Sequence, residues 1–543
     1  MNSATATKPK RVFAAANSGL TPYAGVWGED QIIHLLRRAM FGATRADINH
    51  FLPKSMNATV DELLSINTTP PPPPINTYSD IDPDVPLGQT WVNATTNGVF
   101  DGQRRASWKA WRMGLLINQE RSILEKMTLF LHNHFATETN DVSDARYTYK
   151  HHALLRSNAL GNFKNLARLV TTDPGMLVYL NGKSNNKTAP DENYGRELQE
   201  LFTVGKALEP HYTEADVKAA AKVLTGWQDV RSTISSVFTP NRHDTTNKQF
   251  SSFYNNTVIT GVTGATGGAT ELDALLNMIF AHPEVAKAIA RKVYTFFVYY
   301  TIDASIEANV ITPMADIFRN SGYELKPMIE ALLKSEHFYD VANKACIIKS
   351  PLDFLVGNIR TLGIQFPNVA TDAVNTYKSW VFVAGYSAVL QQDLGDPPNV
   401  AGWSAYYQAP QYHELWINSA TLPNRNKFTD GLSVGVNVPN TGNAIKLKMD
   451  TIAFTKTLAN PADPNSVINE TVKLIHGLQL STATKNAIKL TTLNANLATD
   501  TSWTTVWNTL IADPTNAAKI TAVENRLKGL YVYLMRLSEF QVA

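Results

Sequence analysis

The stretch QRRASWKAWRMGLLINQERSILEKMTLFLHNH (103–134) is rich in Trp, Met, Leu and Phe at helical spacing, with Arg121 and Glu125 one turn apart. On a helix, side chains at i, i+3 and i+4 share a face, so this pattern predicts helix throughout. The same period recurs on both sides of it. Residues 29–40 place Ile32, Ile33, Leu35, Leu36 and Ala39 in an apolar stripe that Gly42 closes, and Thr44 with Asp47 resembles a capping box for 46–52. A short helix is predicted at 59–64. Five consecutive prolines at 70–74 exclude helix and central strand, and 76–97 reads as a long loop.

Beyond 134, helical patterns cover 145–170 with a break near Gly161, then 272–297 in two pieces, 304–321, 325–333, 351–362, 381–393, 447–458 and 518–537. Thr213 with Asp216 is a second capping pattern, opening a helix that runs to about Thr225. Strand signals are few. Residues 232–238 and 253–259 could pair as a small hairpin, followed by a connector with Gly261, Gly264, Gly267 and Gly268. The expected fold is mainly α, a large multi-helical single domain with long loops and a small β excursion. Clustered Gly and Asn near residue 430 mark either a minor boundary or a loop.

Composition narrows the function. The chain has 543 residues, 49 basic and 47 acidic, for a net charge of +2, and 44% of it is apolar. Without a basic block, nucleic acid is a poor partner. The single cysteine, Cys346, excludes an internal disulfide framework and a multi-thiolate metal site. No apolar run approaches the length of a membrane span. Residues 1–20 lack the sustained apolar stretch of a signal peptide, whereas the low charge content and abundant Asn and Thr suit an exported surface.

The run TAPDENYGRELQELFTV (188–204) sets Glu197 and Glu200 at i and i+3 among Leu198, Leu201 and Phe202, with Gly205 as the expected helix terminator. Carboxylates inside an apolar pattern must be paired, hydrogen-bonded or metal-bound. Two other stretches could complete a site: His132 and His134, and the adjacent His243 and Asp244. Imidazole and carboxylate ligands suit zinc, manganese or iron. The six residues are therefore a candidate site for one or two divalent transition metals, with Glu197 and Glu200 as candidate catalytic groups. The alternatives are a structural polar network, with Glu197 paired to Arg37 or Arg38, and metal-free acid–base chemistry.

A second feature is the aromatic loop region that follows Asp396: Pro397, Pro398, Gly402, Trp403, Tyr406, Tyr407, Tyr412 and Trp416. Such rings can stack on sugars or line an apolar cleft, or they can cover a core. Arg291 and Lys292 read as the solvated edge of an amphipathic helix. The glycine-rich connector lacks the Lys-Ser/Thr ending of a phosphate loop, and no GxSxG elbow occurs.

Several motifs together carry a resemblance. HLLRRAMFG (34–42), LHNHFAT (131–137), DENYGRELQELFT (191–203), YTEADV (212–217), LTGW (224–227), His243-Asp244, KSP (349–351), PPNVAGW (397–403) and SEFQ (538–541) occur in this order. In this the chain resembles the DUF1800 family of uncharacterised bacterial proteins across 29–541, leaving 1–28 as an N-terminal extension. The resemblance implies no established activity. It implies export for many members and a DUF1501-like partner protein. Two readings of function follow: a metal-dependent enzyme, hydrolytic or oxidative, using the His/Glu/Asp set; and a non-enzymatic exported binding or scaffold protein, with carbohydrate held by the aromatic loops.

Overall fold

The first amphipathic run folds as the helix Glu29–Ala39, with Glu29 and Asp30 in its first turn and Arg37 and Arg38 in its last. Both placements complement the helix dipole. Ile32, Leu35, Leu36 and Ala39 are fully buried, which is the stripe the spacing predicts. Gly42 then turns the chain with φ +80°. The computed structural model describes residues 19–206, 211–442 and 445–543. Positions 1–18 of the predicted extension, and the signal-peptide reading that rests on them, lie outside the described residues.

Among the described residues, helices dominate and the strands form three two-stranded antiparallel sheets. One hydrophobic cluster extends from Ile32 to Phe540, so a single core serves the described residues. The 103–134 stretch becomes two helices, Asp101–Ile117 and Leu124–His134. The first packs along the helix Val369–Val389. Gly114 permits this approach: a Cβ there would lie 2.6 Å from the Trp380 ring. The second is tied by Lys126 to Asp353 of the helix Pro351–Thr361. The proline run is non-helical, and its Pro72 carbonyl accepts from Trp111 Nε1 at 2.7 Å.

Besides the break at 118–123, three expectations change. The segments 232–238 and 253–259 do not pair with each other. Ser235–Phe238 pairs with Trp227–Val230, and Val258–Ile259 with Lys248–Gln249, because each finds a partner closer in sequence. The helix Thr421–Val434 runs through the suspected boundary near 430. Its buried Arg425 donates to the Lys349 carbonyl at 2.8 Å, anchoring a segment of weak helical pattern. Thr213 and Asp216 form the full reciprocal cap, but only half of the first cap forms. Thr44 accepts from the Asp47 N–H, while the Asp47 carboxylate turns to Arg121 at 2.9 Å and Arg360 at 3.2 Å.

The turn at Gly42 is a stringent test of this packing, since a Cβ there would lie 2.8 Å from the Gly357 Cα and 2.9 Å from its carbonyl oxygen. Gly42→Ala adds a left-handed backbone penalty to that clash, and it is expected to destabilise the protein by about 2–4 kcal/mol in chemical denaturation.

Candidate functional site

The 188–204 run begins as expected and then departs from regular helix. Asp191 caps it by accepting from the Asn193 N–H at 2.9 Å, and Glu192–Glu197 is α-helical. Leu198–Thr203 widens into a π-helix before Gly205, at φ +83°, ends it. Such wide turns alter the carbonyl pattern and often occur at functional sites. Here two carbonyls are met from neighbouring helices. His134 Nε2 donates to the Phe202 carbonyl at 3.0 Å, and Lys292 Nζ donates to that of Leu201 at 2.6 Å.

Lys292 also donates to His134 Nδ1 at 3.2 Å, which assigns the ring hydrogen to Nε2. Burial first, and Lys292 second, hold His134 well below the usual histidine range. Lys292 is an exposed residue as a whole, yet desolvation pulls its ammonium down to about 8. Arg291 and Lys292 lie on the outer edge of their amphipathic helix, as expected, and both are engaged there: Lys292 supports the π-helix, and Arg291 pairs with Glu284 and Glu307.

His132 is buried, with its ring 5.7 Å from that of Trp403 and its Nε2 without a hydrogen-bond partner. Burial, then the nearby His151 and Arg112, lower its pKa to about 3. Glu197 is half-buried, and its Oε2 also lacks a partner. Burial and then Glu200 raise its carboxyl above the usual range. Glu200 itself is engaged by Lys206 and, at 3.4 Å, by the Tyr212 hydroxyl. Neither glutamate pairs with Arg37 or Arg38 among the described residues.

His243 lies between the Thr225 carbonyl at 2.9 Å and Glu271 at 3.0 Å, and Lys248 meets the same carboxylate at 2.6 Å. Burial opposes ionisation of Glu271, but the hydrogen bonds from His243 and Lys248 outweigh it and leave the carboxyl below its usual range. Asp244 faces elsewhere, accepting from the Thr246 N–H at 2.8 Å and hydroxyl at 2.5 Å. Burial likewise raises the Asp244 pKa, and the Thr246 bonds more than reverse this.

The expected metal site does not assemble. Among the described residues no group of three or more His, Cys, Asp and Glu side chains could hold a metal ion. This corrects the metal role of His132, His134, Glu197, Glu200, His243 and Asp244, the divalent cofactor and the metal-dependent enzyme. The physical reason is that His134, Glu200, His243 and Asp244 are engaged by main-chain carbonyls, lysines, hydroxyls and Glu271, while His132 and Glu197, each with an unpartnered atom, are not brought together with a third ligand.

A different feature is concave. The end of the Leu124–His134 helix, the end of the Pro283–Phe297 helix and the loop through residues 400–412 enclose a cleft of about 560 Å³. Phe296, Tyr300, Tyr406, Tyr407 and Tyr412 line it, with Asn133, His134 and Lys292 among its polar members. Tyr300 and Tyr412 stack with centroids 4.7 Å apart and planes at 19°. Trp403 and Trp416 belong to the core instead, 1% and 4% exposed.

The loop is fastened at its entry. Asn133 Oδ1 accepts from the Trp403 N–H at 2.9 Å, and position 402 requires glycine twice over, for its φ of +90° and because a Cβ would sit 2.3 Å from that same oxygen. Asp396 accepts from the Thr139 N–H at 2.7 Å and pairs with Lys109 at 2.5 Å. Asn133 thus gives the middle residue of the His132–His134 triplet a role that its sequence did not suggest. Glu271 was missed as well, and Lys292 was read only as part of a solvated helix edge. The only sequence signal for them was a charge within an otherwise apolar helical pattern.

The family model described as "Protein of unknown function (DUF1800)" matches residues 34–542. No curated protein and no solved structure matches the chain.

The environment of Glu197 makes a pH prediction. Its folded carboxyl holds a proton more tightly than the unfolded one, so its contribution favours the fold at low pH. That contribution is lost as pH rises from the unfolded value, about 4.5, through the raised folded value. Glu197→Gln removes the loss. Denaturation from roughly pH 4 to pH 8 is expected to show the variant gaining on wild type with rising pH. A constant difference would mean that folding leaves the Glu197 carboxyl unshifted, and wild type gaining on the variant with rising pH would mean that the carboxylate is paired.

Proposed function

We propose that this chain, which belongs to the DUF1800 family, is a ligand-binding protein whose tyrosine cleft takes a saccharide-sized molecule. The observation that carries the reading is the cleft of about 560 Å³ lined by Phe296, Tyr300, Tyr406, Tyr407 and Tyr412 with polar groups between them. Ligand sites are concave, largely apolar and aromatic, and contain a few polar groups that set orientation. Flat rings can cover the C–H faces of a sugar, while the amide of Asn133 and the hydroxyls of Thr295 and Thr301 suit its hydroxyls.

The backbone supports the same reading. Tyr412 has φ +45°, a left-handed conformation costly for a bulky side chain. Residues held in such regions cluster at ligand clamps, where surrounding structure over-determines them. Here the strain accompanies the stacking of Tyr412 on Tyr300. The clamp formed by Asn133 and Gly402 limits how far the loop can move, which lowers the ordering cost of binding.

A second reading keeps Glu197 as a proton-transfer group without any metal. It is favoured by one observation, a desolvated carboxyl with an unpartnered oxygen beside Glu200. On that reading Glu197→Gln abolishes turnover of a bound ligand and leaves its affinity unchanged.

The binding reading is tested with a panel of neutral oligosaccharides, followed by calorimetric titration of those that bind. Tyr300→Ala and Tyr412→Ala are each expected to weaken a true cleft ligand by about tenfold or more, the equivalent of one lost aromatic contact. Binding that neither substitution alters, or no binding across the panel, would overturn the assignment.

A further inference from the structure

Among the described residues no acidic side chain forms an ion pair with Lys292. Its nitrogen donates instead to the Leu201 carbonyl at 2.6 Å and to His134 Nδ1 at 3.2 Å. The adjacent Arg291 gives the contrast, since Glu284 and Glu307 both pair with it. His134 in turn is fixed by donating from Nε2 to the Phe202 carbonyl, so that Nδ1 presents a lone pair to the lysine.

These partners suit a neutral amine. Such an amine has two N–H groups and one lone pair, and the Leu201 carbonyl and His134 Nδ1 are two acceptors. With both hydrogens placed, the lone pair points away from both partners and is held in one orientation. Desolvation brings that state within reach. At pH 7 an amine that titrates at about 8 is neutral in roughly one molecule in ten, and an ordinary lysine in fewer than about one in a thousand. An amine of this kind is a nucleophile toward carbonyl carbon.

Lys292 also stands where a ligand would meet it. It lines the cleft together with Tyr300, Tyr407 and Tyr412, and it is exposed. A neutral saccharide offers one carbon of the required kind, the aldehyde of its open-chain reducing end.

We infer that Lys292 captures that carbon as a reversible imine, an inference that rests on the binding reading above. The nitrogen lone pair forms the C–N bond as the carbonyl π pair moves to oxygen, and a proton passes from nitrogen to that oxygen through solvent in the open cleft. The lone pair left on nitrogen then expels the oxygen, which departs as water with the second amine proton and leaves C=N. No oxidant or reductant is consumed, and hydrolysis reverses both steps. Protonation of the imine by solvent restores one N–H for the Leu201 carbonyl. Tyr300, Tyr407 and Tyr412 cover the sugar rings beyond the linkage, so the saccharide is held by a bond as well as by stacking.

The test incubates the full chain at pH 7 with glycolaldehyde, the smallest hydroxyaldehyde, and separately with reducing oligosaccharides. Sodium cyanoborohydride in each mixture converts an imine to a stable secondary amine. Peptide mass mapping compares Lys292 with the exposed Lys427 and Lys456 of the same molecules. Trapping at Lys292 is expected to be about tenfold faster or more than at either, for glycolaldehyde and for at least one oligosaccharide. Lys292→Arg, which keeps a donor but has no nucleophilic amine, is expected to abolish saccharide trapping in the cleft while the two reference lysines react as before. The comparison within wild type stays decisive if Lys292→Arg does not fold.

Glycolaldehyde trapping at Lys292 that falls short of this margin over the reference lysines would overturn the inference. Oligosaccharides reduced to alditols keep sugar rings but have no aldehyde, and their calorimetric titration separates the two readings. Their binding without saccharide trapping at Lys292 leaves the cleft standing and removes the imine. Fast glycolaldehyde trapping with neither alditol binding nor saccharide trapping keeps the reactive amine and removes the saccharide cleft.

Discussion

Lys126 and Asp353 meet across 227 residues of sequence, and much of the central architecture follows from that contact. A buried ammonium without a partner is strongly destabilising, so the two helices that carry these residues must approach at this point. With Leu124–His134 and Pro351–Thr361 placed in this way, the end of the first helix directs Asn133 to the loop at Gly402 and Trp403. The same pair lies among the residues that line a smaller pocket of about 40 Å³, together with Arg37, Arg38 and Lys349. A single ion pair therefore links the packing of the core to both concave features of the molecule.

The histidine and glutamate motifs have a structural logic different from metal ligation. Buried imidazole offers one donor and one acceptor, and His134 uses both, toward the Phe202 carbonyl and the Lys292 ammonium. That arrangement supports a π-helix whose carbonyls would otherwise be poorly met. His243 is held instead between two acceptors, the Thr225 carbonyl and the Glu271 carboxylate. Spacing alone could not separate these uses from coordination, because the same residue types suit both. The outcome depends on which groups the fold brings opposite them, and those groups come from distant helices.

Local elements were the most legible part of the sequence. The stripe of 29–40, the positive φ at Gly42, the reciprocal cap at Thr213 and Asp216 and the stop at Gly205 all depend on nearest-neighbour geometry. Legibility failed where a long-range contact decides. Thr421–Val434 carries a weak pattern, yet its helix holds because Arg425 reaches Lys349. The 235–238 strand was visible while its partner was not, because pairing of so short a segment depends on the turn beside it. Of the aromatic loop, the tyrosines line a cleft while Trp403 and Trp416 enter the core. Residue type does not distinguish those two fates.

By itself, the sequence determined the helical class, the family and the positions at which polar residues enter apolar helices, since periodicity and capping are properties of contiguous residues. Tertiary structure alone decided what those polar residues do. It gathered Arg37, Arg38, Lys126 and Lys349 from three separate stretches of chain, and it set Tyr300 on Tyr412 across more than a hundred residues. The physical reason is that charge and ring stacking act through space over a few ångströms, and nothing in a linear pattern records which distant residues will come within that range.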